Sequence, residues 1–133
     1  MGNNFSDSGS SEDESEEIPQ ITTLKSMSDW ESHSRSNSDK LMVVDFTAAW
    51  CIFCRIMAPT LNSLAKNNPD VTFVKIDMTS PENPFTSLAR DYNVRGYPTF
   101  LLLRNGKEVD RVVGANKDDL EKKVAEKKSI RQT

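Results

Sequence analysis

The chain has 133 residues, 20 acidic and 17 basic, with a formal charge of −3, and a length in this range fits one domain. With 36% hydrophobic residues, a mean hydropathy of −0.58 and no apolar run near ~18 residues, it excludes a transmembrane helix. The mixed signs and a pI near 5.2 also argue against nucleic-acid binding.

The charge is uneven. Residues 1–20 hold six acidic residues and no Lys or Arg. Residues 1–19 read as a disordered acidic tail, because Ser, Asp, Glu, Asn and Gly bury too little apolar surface to offset the entropy of ordering. Pro19 marks the boundary, and residues 20–133 read as the folded domain. The tail lacks a basic n-region, an apolar h-region and the arginines of a transit peptide, which points to the cytoplasm. In that reducing compartment the two cysteines are not expected to form a structural disulfide. Met1-Gly2-Asn3-Asn4-Phe5-Ser6 fits the N-myristoylation pattern, with Gly2 as the acceptor. With no second acylated Cys and no basic cluster, only weak membrane association is expected. Ser10 and Ser11 each stand three residues before an acidic one, a pattern an acid-directed kinase could use, although a plain solubilising tail explains it too.

The elements follow in order. Residues 20–24 read as a short strand and 28–36 as a weak helix capped by Ser26 or Ser28. Residues 41–47 form a nearly continuous apolar run, as expected of a central strand covered on both faces. Residues 51–67 follow as a helix with Met57, Leu61, Leu64 and Ala65 at helical spacing, and with Pro59 expected to kink it. Residues 71–77 read as a second central strand and 84–92 as a short helix. Residues 99–103 and 108–113 flank Asn105-Gly106, a hairpin signal. Asn116 caps a final helix, with Asp119 at N3 and Leu120 and Val124 facing inward. The order β-α-β-α-β-α-β-β-α predicts an α/β fold with a central mixed five-stranded sheet and helices on both faces. Parallel strands are expected from the crossovers and antiparallel ones at the final hairpin.

Cys51 and Cys54 lie within one turn at the start of a helix. Unpaired N–H groups and the helix dipole favour an anion at Cys51 and raise its thiolate fraction. Cys54 continues the stripe of Met57, Leu61 and Leu64, so Cys51 is expected as the exposed nucleophile and Cys54 as the shielded resolving thiol. Half a zinc site and two incidental cysteines are the competing readings. Structural zinc takes four ligands, and the two cysteines plus the single His33 supply three, so no metal is expected. His33 itself reads as a surface residue among serines. Asp45 interrupts the apolar run. It reads either as a carboxylate at an exposed strand position or as a buried base placed to take the proton of Cys54, with Lys75 in the next strand as its partner.

Asp45-Phe46-Thr47-Ala48-Ala49-Trp50-Cys51-x-x-Cys54-Arg55 with Ala58-Pro59 resembles the active-site block of thioredoxins. Val74-Lys75-Ile76-Asp77, Tyr97-Pro98-Thr99-Phe100, Asn105-Gly106 and Val113-Gly114-Ala115 match later blocks in order, so the resemblance spans about residues 21–128. It implies the thioredoxin fold and a thiol–disulfide oxidoreductase without a cofactor. Cys51 would be the nucleophile, Cys54 the resolver, Asp45 the buried base, Lys75 its modulator and Pro98 the cis-proline. Tyr97, Pro98, Gly114 and Ala115 would hold an extended substrate beside Trp50, Ile52 and Phe53. The partners implied are disulfide-containing proteins, with a thioredoxin reductase or glutathione and glutaredoxin as electron donor, and a monomer is expected. Thr47 and the N-terminal extension resemble the eukaryotic h-type. Two features depart from that pattern. Ile52-Phe53 stands where the family usually has Gly-Pro, a pair that tunes redox potential. Residues 94–99 resemble protein disulfide isomerase domains, although Asp45, where those domains commonly carry Glu, and the missing signal and retention sequences argue against that assignment. An isomerase or oxidase, and a non-enzymatic adaptor gripping partners through Trp50, Ile52 and Phe53, are therefore the alternatives to a reductase.

Overall fold

The computed structural model describes residues 20–36 and 39–128. The acidic stretch at 1–19, with Gly2, Ser10 and Ser11, lies outside them. The elements are β1 (Ile21–Thr23), α1 (Met27–Ser36), β2 (Met42–Thr47), α2 (Ile52–Asn67), β3 (Thr72–Asp77), α3 (Thr86–Asp91), β4 (Thr99–Arg104), β5 (Lys107–Val113) and α4 (Lys117–Lys128). They build one five-stranded sheet in the order β1-β3-β2-β4-β5.

Alternation along β2 explains the two-sided core. Met42, Val44 and Phe46 face one side and pack with Trp30 of α1 and Leu88 of α3. Val43 faces the other side and packs with Met57 and Leu61 of α2 and with Leu120 and Val124 of α4. A strand buried on both faces therefore reads as a continuous apolar run, and its period of two puts Asp45 on the α2 side with Val43. Ser26 is the cap of α1, its Oγ accepting the Asp29 N–H at 3.1 Å. Asn116 Oδ1 accepts the Asp119 N–H at 3.2 Å at the head of α4. Asn105 and Gly106 have φ of 56° and 76°, the left-handed pair that a two-residue type I′ hairpin turn requires.

Two expectations change. β1, β3 and β2 are parallel, but β4 runs antiparallel to β2 as well as to β5. The six-residue α3 spans only ~9 Å at 1.5 Å per residue, too short to carry the chain back along a six-residue strand of ~20 Å. β4 therefore sets out from the end of the sheet where β3 stops. α3 is also shorter than residues 84–92, because Asn83 Oδ1 takes the Phe85 N–H at 2.7 Å, a local bond that competes with helix. The other strands, α1 and α2 keep their expected bounds to within one residue, and α2 runs on through Pro59. β4 gains Arg104, whose buried guanidinium donates to Asp39 O at 3.0 Å and to Lys127 O near the end of α4 at 2.6 Å.

Candidate active site

Cys51 is the N-cap of α2. Its backbone is extended (φ −94°, ψ 111°) and its Sγ accepts the Cys54 N–H at 3.2 Å, satisfying one of the orphan donors of the first turn. The Cys51 thiol also lies 3.5 Å from Tyr97 O, to which it can donate. The Tyr97–Pro98 peptide bond is cis. Gly114, at a φ of 88°, donates its N–H to Pro98 O at 2.8 Å, and its carbonyl accepts the Asn116 N–H at 3.0 Å. The five residues that the resemblance singled out at Cys51, Tyr97, Pro98, Gly114 and Ala115 thus converge at one end of the sheet.

The expected contrast between an exposed Cys51 and a shielded Cys54 is corrected: the two are 7% and 8% exposed. Cys51 folds back onto the helix N-terminus and is covered by Tyr97, with Ala48 and Cys54 completing a small cluster. Their surface exposure does not distinguish the sulfurs, but their hydrogen bonds and the raised Cys54 thiol do. Cys51 receives a backbone N–H, whereas burial pushes the Cys54 thiol up, helped by its hydrogen bond to Cys51 and by the charge there. Bonds from the Thr47 side chain and the Ala48 backbone oppose that rise.

Asp45 is buried, and its Oδ1 has no hydrogen-bond partner among the described residues. Burial pushes its carboxyl up to about 7, against the pull of Lys75, its in-register neighbour on β3. A cleft of about 410 Å³ opens behind α2, lined by Asp45, Cys54, Lys75 and Thr47 among others. It brings the carboxyl, the second thiol and the ammonium around one space wide enough for water, with these polar groups as its partners. His33 is half-buried on α1, with Nδ1 2.9 Å from Asp29 O, away from this constellation.

The rim is apolar. Trp50, Ile52 and Phe53 are each more than half exposed, and so are Ile56 and Val113, which the sequence reading missed. Ile56 was within reach of it: Cys54, Met57 and Leu61 define the inner face of α2, and Ile56 stands one helical turn from Ile52 on the opposite face. The Trp50 ring meets Tyr97 edge-on at 5.8 Å, and its indole N–H lies 3.4 Å from Thr79 O. Thr79 Oγ1 accepts the Ala49 N–H at 2.8 Å while donating to Asp77. Arg55 clamps the same segment by donating to Ala49 O at 2.8 Å. Sequence spacing gives no sign of Thr79, because it meets Ala49 across 30 positions of chain.

Comparison with known proteins gives a consistent picture. The sequence model of the thioredoxin family matches residues 20–126. Thioredoxin H2 of Arabidopsis thaliana is 40% identical over 111 residues, covering 82% of this chain and 80% of that protein. Thioredoxin H2-2 of Oryza sativa subsp. japonica is 45% identical over 95 residues, covering 71% of this chain and 67% of that one. The crystal structure of thioredoxin NaTrxh from Nicotiana alata aligns with a TM-score of 0.77 at 41% identity, over 88% of this chain and 100% of that one. With a Cys-x-x-Cys pair opening α2 beside a cis-proline, and relatives that span most of its length, the chain belongs to the thioredoxin family.

Proposed function

We propose that Cys51 and Cys54 carry the exchange by which this thiol–disulfide oxidoreductase reduces protein disulfides, with Cys51 as the attacking sulfur. The observation that carries the assignment is the Cys54 N–H donated to Cys51 Sγ at the helix N-cap, which stabilises negative charge on that sulfur and not on the other. The Cys51 thiolate attacks one sulfur of the substrate disulfide. The other leaves as a thiolate and takes up a proton. In the mixed disulfide Cys51 is no longer charged and no longer shares a proton with Cys54, so two of the causes that hold the Cys54 thiol up disappear. Asp45 accepts the Cys54 proton through the cleft, with Lys75 stabilising the carboxylate. Cys54 then attacks Cys51 Sγ, the second substrate thiol departs, and the Cys51–Cys54 disulfide holds the oxidising equivalent. A reductase returns two electrons, with glutathione and glutaredoxin as the alternative donor.

The substrate lies extended along Tyr97 and Ala115, between the Trp50, Ile52 and Phe53 rim and Pro98. Gly114 acts by fixing this turn, since its N–H is already committed to Pro98 O. Insulin reduction tests the assignment. Activity is expected to vanish in Cys51→Ser, and Cys54→Ser is expected to accumulate mixed disulfides; turnover surviving Cys51→Ser would overturn it. The exposed Ile52-Phe53 pair supports the rival oxidase or isomerase reading, which a reduction potential more reducing than that of glutathione would exclude. Among the described residues no helix is long and apolar enough to cross a membrane. In this reading the chain is a cytoplasmic monomer with weak attachment to membranes through Gly2.

A further inference from the structure

A second cleft, of about 370 Å³, lies beside Tyr97 and is lined by neither cysteine. Tyr97 forms its wall, and its own carbonyl is the group 3.5 Å from Cys51 Sγ. Met78, Ala89 and Val94 give the cleft an apolar floor, and Arg90 and Arg95 stand along it. Both arginines are exposed. Neither makes an ion pair with another described residue, although six other cation–carboxylate contacts are formed in the same set. Among the described residues no carboxylate lines the cleft, and Asp91, next to Arg90 in sequence, is not part of it. Two guanidiniums without an ion pair among the described residues, over an apolar floor and joined to the attacking sulfur through Tyr97, make a site for an extended segment that alternates acidic and apolar side chains.

We propose that this cleft selects substrates: disulfides flanked by Asp or Glu are reduced faster than those flanked by Lys, with Arg90 and Arg95 as the specificity-determining residues. The inference rests on the reductase reading above and names the class of protein substrate that the same site prefers. Exposed ion pairs are individually weak, so the two together give a preference on the order of five-fold. It acts largely through encounter and weakens as salt rises.

The experiment uses the full chain, a chemical reductant and two disulfide peptides that differ only in carrying Glu or Lys at the second and third residues on either side of a cysteine. The ratio of kcat/KM for the Glu and Lys peptides is read at low and high salt, in the natural chain and in Arg90→Ala/Arg95→Ala. This ratio is independent of the amount of folded protein, so partial misfolding of the variant does not disturb it. Expected is a ratio of about five that falls toward one in the double variant and at high salt. A ratio of one in the natural chain, or a ratio unchanged in the variant, overturns the inference while insulin reduction still stands. Failure to reduce either peptide or insulin overturns the reductase reading and the inference with it.

Discussion

At Asp45, burial against the pull of Lys75 separates the native carboxyl, at about 7, from its ordinary value of 3.8. The unfolded chain ionises near the lower value and the native chain near the higher. Between the two the native state binds more protons, so stability falls as pH rises from about 4 to about 7, and above 7 the full cost of a buried carboxylate is present. The separation corresponds to at most about 4 kcal/mol. Asp45→Asn keeps the shape and removes the ionisation, so it is expected to match the natural chain near pH 4 and to exceed it near pH 8. Urea denaturation at both pH values measures this. Turnover is expected to fall by about a hundred-fold or more, the lower end of the ~10²–10⁴ range of a lost general base, in the step that resolves the mixed disulfide. A less stable variant with unchanged turnover would make Asp45 an ordinary strand residue. Its anomaly was legible because one charge interrupts an otherwise apolar strand. The burial of Cys51 was not, since it depends on Tyr97, 46 positions away, and local spacing does not encode such a contact.

Arg104 shows how one side chain joins elements that the sequence leaves separate. Its guanidinium ties the segment before β2, through Asp39 O, to the C-terminal turn of α4, through Lys127 O. Carbonyls at a helix C-terminus carry the negative end of the dipole, so a cation is well placed there. Arg104→Ala leaves both carbonyls without this donor and empties a buried site. It is expected to cost about 2–4 kcal/mol, read as a lower urea midpoint with the insulin reduction rate unchanged below the transition. Arg104→Lys is expected to recover little, because one ammonium cannot reproduce the two-pronged fork. The apolar run of β4 ends at Leu103, so the sequence stops the strand one residue early; only the tertiary partners explain why a charged residue continues it. The hairpin from β4 to β5 was legible for the opposite reason, since Asn105-Gly106 states its turn chemistry locally. The direction of β4 beside β2 was not, because it follows from the length of α3 relative to the strands.

Across the whole molecule, five ordered motif blocks made the family legible: the reactive pair heading α2, the end of β3, the cis-proline segment, the Asn105-Gly106 turn and the Gly114 turn each have a fixed place in the fold. In the reading proposed above, location turns on the acidic N-terminal stretch. A myristoyl group on Gly2 would bury roughly a dozen methylenes at ~0.8 kcal/mol each, opposed by the repulsion of six carboxylates from anionic lipid. Phosphate on Ser10 or Ser11 would add ~1.5–2 negative charges per site and favour release. The expected result is a protein divided between soluble and membrane fractions, with the membrane share lost in Gly2→Ala. Fractionation with mass spectrometry of the N-terminal peptide measures it, and an unmodified Gly2 would make the motif a coincidence. The margins of the sheet carry a different consequence. One margin, β1, offers only three residues. The other, β5, is edged by Lys107, Glu108, Asp110 and Arg111, with Glu108 and Asp110 held in ion pairs to Arg111 and Lys123. Neither margin gives a second copy a long bare row of N–H and C=O groups to zip onto. Concentrated solutions are therefore expected to stay clear, with light scattering returning the mass of one chain rather than of growing fibrils.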